Sequence, residues 1–439
     1  MPFVFTAVPK TTSFYRPDKY LAWVSGCWLA MSLCTAGFCA ETDGAVVSES
    51  TLSAADLLTG ATNSKSDFHT DFDFRLTQNT IQIDAQISGT ATSSKFVLDS
   101  GAPMTIAPRL AREHDLGTLA TVSLAGPESG RIVVPVTRIP EISIADVAFR
   151  NVGAVVDWAE PPDELACLST AGLLGASLLQ TAIWQIDFET RRIVVTSSLS
   201  TLPGLKNAIE LPFIRADAAG SPRISVSVGD TDNVSLLVDL GFNGGIAIPT
   251  SLLEKAGNTI AASAPTEEGQ ATSTVLGDTP STVRISRLSE LRIGDLRLKD
   301  FPVVTGTEVS DFHVGIDFLR HFRVTIDWLH NTLYLEPRSP EAALYDDFAT
   351  YGFKPQLRDG KLVVGALWRG SDVDKAGLEI GDRIVDIDGQ DTSEPSFEAM
   401  CAILDAVGRF GANDAPLSVT RLRDGQRQVF RAARVPLLR

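Results

Sequence analysis

The stretch KFVLDSGAPMTIAP at residues 95–108 and the stretch SLLVDLGFNGGIAIP at residues 235–249 are two versions of one pattern. Each has an apolar strand, then Asp-x-Gly, then a short loop and a second apolar strand that ends at proline. Each also follows a strand of alternating character, at residues 81–87 and 224–228. Such self-similarity indicates an internal repeat of a β-rich unit.

The match continues downstream with the same spacing. An apolar residue and a glycine, Gly175 or Gly315, come 76 positions after the aspartate of each stretch. A further aspartate, Asp187 or Asp327, follows after 12 more positions, and we interpret this second pair as structural. Many short strands separated by Gly, Asn, Asp and Pro are typical of all-β folds. The sequence therefore predicts two β-rich copies, residues 75–202 (the first copy) and residues 203–338 (the second copy).

Asp99 and Asp239 are the candidate catalytic residues. An isolated Asp-x-Gly is usually a solvated turn, but both of these aspartates follow an apolar strand, and Gly101 and Gly241 permit a tight turn after them. Two copies related by a pseudo-twofold axis can place two carboxylates face to face, where they share a proton. One carboxylate then acts as a general base on water, while the protonated one polarises a carbonyl.

These motifs resemble the aspartic protease superfamily in its retropepsin-like, single-chain form. Asp99-Ser100-Gly101 with Leu173-Leu174-Gly175 matches the family pattern fully, and Asp239-Leu240-Gly241 with Val314-Gly315 matches it in part. The resemblance covers roughly residues 75–338 and implies a mainly β fold with two tandem β-barrel lobes in a pseudo-twofold arrangement. It implies Asp99 and Asp239 as the catalytic dyad. The residues that it implies as support for the dyad are Ser100, Gly101, Gly241, Gly175 and Gly315.

Leu240 departs from the family pattern. In the family, the hydroxyl after each catalytic aspartate hydrogen-bonds to the other lobe; Ser100 can supply this bond and Leu240 cannot. Two readings follow. The chain is an aspartic-type endopeptidase whose substrate is a polypeptide, which is our main expectation because both aspartates and both glycines are kept. Alternatively, it is a degenerate, peptide-binding protein or adaptor.

The same family closes β-hairpin flaps over its substrate. Residues 125–130, which contain two glycines and a proline between apolar runs, are a candidate flap tip in the first copy. Residues 266–277 are the corresponding stretch of the second copy. An ordinary surface hairpin explains both stretches equally well.

Residues 342–439, which we call the C-terminal unit, resemble a bacterial PDZ domain. The resemblance is carried by the pattern Ala-Gly-Leu-x-x-Gly-Asp-x-Ile-x-x-Ile-x-Gly at residues 376–389. PDZ domains bind an extended chain, often a C-terminus, as an added strand between a sheet edge and a helix. The resemblance implies a peptide groove, and a unit that only packs on the body is the alternative. The groove residues that it implies are Tyr351, Gly352 and Phe353 in the carboxylate-binding loop and Phe397, Met400 and Leu404 on a helix predicted at residues 396–407.

The N-terminus predicts export. Lys10, Arg16 and Lys19 lead into a largely apolar run at residues 20–40, which has the features of a signal peptide or of an uncleaved membrane anchor. We therefore expect a periplasmic or extracellular protein, possible membrane anchorage by residues 1–40, and a flexible leader at residues 41–74. Beyond residue 40 only Cys167 and Cys401 remain, 234 positions apart, and the sequence predicts no bridge between them.

Charge and composition exclude other classes. The chain has 439 residues with a formal net charge of −16, whereas a nucleic-acid binder normally has a basic footprint. The five histidines form no His-x-x-x-His or His-Glu-x-x-His pair, and no glycine-rich phosphate loop follows a strand. We therefore expect no metal and no cofactor. His313, beside Val314-Gly315, is the histidine whose position suggests proximity to the dyad.

Overall fold

The computed structural model describes residues 53–438, apart from 91, 126–130, 162, 270–272, 275–276, 279–280, 308, 346 and 408–414. The fold is mainly β, as the sequence predicts. Residues 1–40, with the predicted export segment, lie outside the described residues, and so does the first flap tip at 126–130. None of the helices in the described part of the chain is long and apolar enough to cross a membrane.

The segment before the first copy is ordered from residue 53, so the prediction of a flexible leader to residue 74 was wrong there. Ser53 begins a helix with a reciprocal capping box, in which its hydroxyl accepts the Asp56 N–H at 3.1 Å. Leu57 and Leu58 are buried against the valines of the first copy. Burial of these apolar side chains is what fixes the segment. Its elements are α1 (Ala54–Thr59), β1 (Thr62–Asn63) and β2 (His69–Asp73).

Within its described residues, the first copy contains ten strands and two short helices, as well as a 3-10 helix at Glu164–Cys167. They are β3 (Arg75–Thr77), β4 (Thr80–Ile87), β5 (Ser94–Asp99), β6 (Thr105–Ile106), α2 (Pro108–Glu113), β7 (Ala120–Ala125), β8 (Arg131–Ile144), β9 (Val147–Val156), β10 (Gly172–Gly175), α3 (Ala176–Leu179), β11 (Ile183–Asp187) and β12 (Arg192–Thr196).

After short 3-10 helices at Leu199–Thr201 and Leu205–Asn207, the second copy follows the same order with two additional short strands, at Ser273–Thr274 and Gly277–Asp278. Its elements are β13 (Ile209–Arg215), β14 (Pro222–Val228), β15 (Thr231–Val238), β16 (Ile246–Ala247), α4 (Thr250–Lys255), β17 (Thr266–Gly269), β18 (Ser273–Thr274), β19 (Gly277–Asp278), β20 (Ser281–Ile293), β21 (Leu296–Gly306), β22 (His313–Val314), α5 (Ile316–Leu319), β23 (Phe322–Asp327) and β24 (Thr332–Pro337).

Equivalent strands of the two copies pair in the same way. In the first copy β5 lies parallel to β10, with Asp99 opposite Gly175, and β10 also pairs antiparallel with β6. In the second copy β15 lies parallel to β22, with Val238 opposite Val314, and β22 also pairs antiparallel with β16. Each aspartate therefore lies at the end of a strand whose parallel neighbour leads to the conserved-spacing glycine of the same copy, Gly175 at the end of β10 or Gly315 just after β22.

A shared sheet joins the copies. Strands β11 and β23 pair antiparallel, with Ile183 opposite Asp327 and Asp187 opposite Arg323. Outward from this central pair the order is β12 and β2 on one side and β24 and β13 on the other. One apolar core runs through both copies, and it includes the fully buried Trp184. The copies are thus a continuous body.

The C-terminal unit has a core of its own, which includes Tyr351, Leu362 and Phe430. The predicted helix at residues 396–407 is present from Phe397, and it buries an apolar face. A 3-10 helix at Glu341–Leu344 precedes the unit's main elements. These are β25 (Phe353–Arg358), β26 (Lys361–Trp368), α6 (Asp372–Lys375), β27 (Arg383–Ile387), β28 (Gln390–Asp391), α7 (Phe397–Val407), β29 (Leu417–Arg423) and β30 (Gln426–Ala432).

The C-terminal unit is attached to both copies. Its strand β26 pairs antiparallel with β17 of the second copy, with Glu268 opposite Leu367. On the first copy, Cys167 and Cys401 form a disulfide, so the prediction of no bridge was wrong. The fold brings the 3-10 helix Glu164–Cys167 against α7, and a separation of 234 residues hides that approach from any local pattern.

Candidate active site

Both predicted catalytic aspartates stand at the ends of buried strands. The three residues before Asp99 are buried, and so are the three before Asp239. Each aspartate itself is partly exposed. An apolar strand with no polar break thus anchors each loop in the core, while the aspartate at its end stays partly exposed.

The structure brings the two carboxyl groups close together, because each one lies against the glycine of the opposite loop. The glycines two residues after each aspartate make this approach possible. A Cβ on Gly101 would lie 2.7 Å from Cγ of Asp239, and a Cβ on Gly241 would collide with the Asp99 carboxylate. Both positions therefore require a residue without a side chain, because any side chain would occupy the place of the opposite carboxylate.

The Ser100 hydroxyl crosses between the two loops. Its Oγ donates to the carbonyl oxygen of Val238 at 2.7 Å and accepts the backbone N–H of Leu240 at 2.9 Å. Ser100 is completely buried, so both bonds are shielded from water. Leu240 makes no equivalent side-chain bond in return; its side chain is buried in the core that the copies share. One hydroxyl and one apolar side chain therefore hold the two loops together.

Backbone N–H groups orient the carboxylates. Gly101 donates to Oδ1 of Asp99 at 2.7 Å. Oδ1 of Asp239 accepts two such bonds, from Gly241 at 2.8 Å and from Phe242 at 3.1 Å. Backbone donors fix one oxygen of each carboxyl group, which leaves the other oxygen for its partner or for a reactant.

The electrostatics of the pair favour a shared proton. Burial raises the pKa of Asp99 well above its usual range, and the adjacent charge of Asp239 acts in the same direction. The bond from the Gly101 N–H opposes both effects and is weaker than either. Two such close carboxyl groups cannot both ionise cheaply, and this favours the protonated form of Asp99.

The two downstream glycines lie behind the dyad. Gly175 begins α3, and a Cβ there would collide with the backbone of Pro103. Gly315 begins α5, and its N–H donates to the carbonyl oxygen of Gly245 at 2.7 Å. Both glycines therefore support the loops that follow the aspartates.

His313 lies beside the loop of the second copy. Its ring meets the edge of the Phe242 ring at 4.4 Å between centroids, and Nδ1 lies 3.1 Å from the carbonyl oxygen of Asp311. Burial lowers the pKa of His313, against the opposing effect of the Asp239 and Asp311 carboxylates. The equivalent residue of the first copy is Leu173, because His313 pairs with Leu237 as Leu173 pairs with Val97.

The second aspartate pair is placed away from the dyad. Asp187 accepts the Thr190 N–H in a turn and pairs with Arg323 across the central strands, Nη2 to Oδ2 at 2.8 Å. Asp327 is buried and lies 2.7 Å from Nδ1 of His330. Burial acts to raise the pKa of Asp187, but the bonds from Arg323 and Thr190 outweigh it and lower this pKa.

One polar link beside the dyad was not foreseen from the sequence. Asn79, in the turn between β3 and β4, donates to the carbonyl oxygen of Asn243 at 2.6 Å, and Asn243 donates to that of Gln78 at 3.2 Å. This reciprocal pair ties the first copy to the loop four residues after Asp239. Two isolated asparagines 164 positions apart give no sequence signal for it.

The predicted groove residues of the C-terminal unit are mostly buried. Tyr351 and Phe353 belong to the unit's core, and the Tyr351 hydroxyl donates to the carbonyl oxygen of Ala415 at 3.1 Å. Met400 and Leu404 are only 1% and 7% exposed. Gly352 has a left-handed backbone, with φ of 89°, and Phe397 is half-buried.

The predicted flap of the second copy is described in part. Strand β17 pairs antiparallel with β20, with Thr266 opposite Arg284 and Gly269 opposite Ser281. The described ranges contain no group of three or more His, Cys, Asp or Glu side chains that could hold a metal ion.

Comparison with known proteins supports the protease assignment at the level of a family segment. The sequence profile of a family described as aspartyl protease matches residues 224–318. The matched segment lies in the second copy and contains Asp239-Leu240-Gly241 as well as Val314-Gly315. No match to a curated protein is found. The family match supports a peptidase function in general terms.

Proposed function

We propose that this protein is an aspartic-type endopeptidase built from two retropepsin-like lobes, the first copy and the second copy. The observation that carries the proposal is the approach of the Asp99 and Asp239 carboxyl groups, each on the equivalent loop of its copy. The duplicated spacing and the family match in residues 224–318 support it.

The reaction uses one water and the single proton of the dyad. Asp99, with its raised pKa, holds the proton and gives it to the carbonyl oxygen of the substrate. The Asp239 carboxylate takes a proton from the water, whose oxygen bonds to the carbonyl carbon and forms a neutral diol. The C–N bond then breaks as the nitrogen takes the proton from Asp239, and a diol hydroxyl returns its proton to Asp99. A carboxylic acid and an amine leave, and the dyad is restored.

Leu240 is compatible with this reaction in our proposal. The backbone N–H of Leu240 donates to the Ser100 hydroxyl, and this hydroxyl donates to the carbonyl oxygen of Val238. These two bonds hold the loops together whatever the side chain at position 240. The apolar side chain replaces the missing second bond by burial in the shared core. A degenerate, peptide-binding protein is the second candidate, since Leu240 removes one of the two hydroxyls that the family pattern has.

The C-terminal unit is, in our proposal, a PDZ-like domain that holds an extended chain between β25 and α7. The pattern at residues 376–389 and the order of its strands and helices support this. We also propose that the protein is exported, with residues 1–40 as a cleaved signal or an anchor. The Cys167–Cys401 disulfide supports export, because such bonds persist in oxidising compartments.

The test is cleavage of a peptide library by the protein without residues 1–40, between pH 3 and pH 8. Asp99→Asn and Asp239→Asn keep the shape of each side chain and remove its acid–base function. We expect each to lower kcat at least about 100-fold. Equal cleavage by all three proteins would rule out the dyad. Peptide binding without turnover by the wild type, and also by Leu240→Thr, would establish the binding protein instead.

A further inference from the structure

One face of helix α7 is turned toward the first copy. Phe397, Cys401 and Leu404 are spaced by four and three residues, so they share this face. Cys401 forms the disulfide with Cys167 of the 3-10 helix Glu164–Cys167. Near the end of α7, Asp405 accepts the backbone N–H of Gln78 at 3.2 Å. The face that would line a peptide groove thus contacts the protein's own first copy.

The same segment of the first copy also reaches the strand on the other side of the predicted groove. The Glu164 carboxylate lies 3.7 Å from Nζ of Lys354 on β25, and the Glu164 side chain is only 12% exposed. In the described residues β25 has one paired neighbour, β26, and its other side faces α7. Residues 163–168 therefore contact both the strand and the helix that would hold a bound chain.

Burial indicates that the groove is filled. Ala166, in the middle of the segment, is 3% exposed, and Met400 and Leu404 of α7 are 1% and 7% exposed. An empty groove would leave its apolar lining open to solvent. Asp163 caps the 3-10 helix Glu164–Cys167 by accepting the Leu165 N–H at 2.8 Å. The segment therefore lies against α7 as an ordered helical turn.

We propose that residues 163–168 of the first copy are the resident ligand of the groove between β25 and α7, and that the Cys167–Cys401 disulfide retains them there. This proposal rests on the proposed PDZ-like function of the C-terminal unit, and it identifies residues 163–168 as the chain that the groove holds. An external chain then enters the groove only after the resident segment has left it.

The resident segment is also connected to the dyad loop. Leu168 packs in an apolar cluster with Ala102, three residues after Asp99, and its carbonyl oxygen accepts a bond from the Gln82 side chain. The chain then continues into β10, whose Gly175 lies opposite Asp99. Displacement of the segment from the groove therefore acts on the support of the first catalytic loop.

The test measures access to the groove by fluorescence anisotropy. The probe is a fluorescein-labelled peptide of residues 160–170 that carries Cys167→Ser, and a scrambled peptide is the control. The proteins carry Asp99→Asn, which prevents cleavage of the probe. They are compared without further change, with Cys167→Ser and Glu164→Lys together, and with Arg369→Ala. Arg369 pairs with Glu268 at 2.7 Å on the side of the unit that contacts the second copy, so its variant is the matched control.

We expect the Cys167→Ser/Glu164→Lys protein to bind the probe at least about tenfold more tightly than the parent and the Arg369→Ala control. Addition of Phe397→Ala should weaken that binding at least about fivefold and so locate it on α7. Equal binding by all proteins, no binding by any of them, or indifference to Phe397→Ala would overturn the proposal. If the double variant fails to fold, the parent protein treated with a dithiol gives the same comparison, since two electrons and two protons convert the disulfide to two thiols. The anisotropy needs no catalysis, so failure of the peptidase proposal would show only in the cleavage assay.

Discussion

The loops Asp99-Ser100-Gly101 and Asp239-Leu240-Gly241 occupy equivalent places and are held by different forces. Ser100 makes two hydrogen bonds to the opposite loop, while Leu240 offers only its backbone N–H and buries its side chain in the core. A hydrogen bond from a hydroxyl depends on its direction and so fixes a geometry, whereas burial of an apolar side chain stabilises a contact without fixing its direction. The similar backbones of the two loops are therefore held by different side chains, and Ser100 of the first copy supplies the directed contacts between them.

The largest effect on the free energy of unfolding is expected from Ser100→Ala. It leaves a buried carbonyl and a buried N–H without their partner, each at about 1–3 kcal/mol. We expect the free energy of unfolding to fall by about 2–5 kcal/mol and kcat to fall at least about 30-fold, because the loops lose the hydroxyl contact that joins them. Thermal unfolding and peptide cleavage measure the two effects. Ser100→Thr keeps the hydroxyl and should retain most of the activity; a similar loss in both variants would contradict the role of the hydrogen bonds.

Leu240→Thr restores the hydroxyl that the family pattern has. If the new hydroxyl bonds to the first loop, a contact of about 1 kcal/mol raises kcat about fivefold. The smaller side chain leaves space in the shared core, so the free energy of unfolding should fall by about 1–3 kcal/mol. Leu240→Val removes volume without adding a hydroxyl and is the matched control. A rise in kcat for Leu240→Val as well would assign the effect to packing.

Asp99→Asn tests the burial of the first carboxyl group. The raised pKa of Asp99 means that the folded state holds this proton more tightly than the unfolded chain, whose aspartates ionise near about 3.9. The stabilisation that this proton gives the folded state is therefore complete below about pH 4. It is lost as the pH rises through the raised pKa of Asp99. Asn does not titrate, so the variant should melt several degrees higher than the wild type at pH 7 and show no such gain at pH 3. An equal difference in Tm at both pH values would contradict this.

The smallest effect is expected from His313→Leu, which gives the second copy the residue of the first. Burial lowers the pKa of His313, so its imidazole is neutral at pH 7 and kcat/KM should change less than about threefold there. The charged groups that face His313 are Asp239 and Asp311, and Arg223 is paired with Asp311. At acidic pH a positive imidazolium stabilises the ionised form of the aspartate pair. The variant should therefore lose activity at a higher pH on the acid limb. An unchanged pH–rate profile would show that His313 does not affect the dyad.

The repeat could be predicted from sequence because its determinants are local. Each copy repeats a buried strand, an aspartate and a glycine at fixed distances, so the equivalent pairings of β5 with β10 and β15 with β22 follow from one pattern. The need for glycine at positions 101 and 241 could be predicted for the same reason. The sequence also indicated the helix from Phe397, since its apolar residues recur every three or four positions.

The attachments of the C-terminal unit could not be predicted. The Cys167–Cys401 bond and the pairing of β17 with β26 join segments that are far apart, and each side looks ordinary alone. Residues 53–74 were misjudged because their polar composition conceals Leu57, Leu58 and Phe68, which are buried against the first copy. Contacts between segments that are far apart in the sequence determine each of these features, and local propensity does not report such contacts.

The pairing of β17 with β26 also bears on solubility. Strand β17 is covered on both sides, by β20 and by β26, and the apolar cluster of Val283, Ile285, Phe348 and Trp368 lies alongside. A chain cut before residue 342 would expose an unpaired strand edge next to an apolar patch, which is a template for association with another chain. The C-terminal unit thus covers a strand edge and an apolar patch of the body that would otherwise be open to association with another chain.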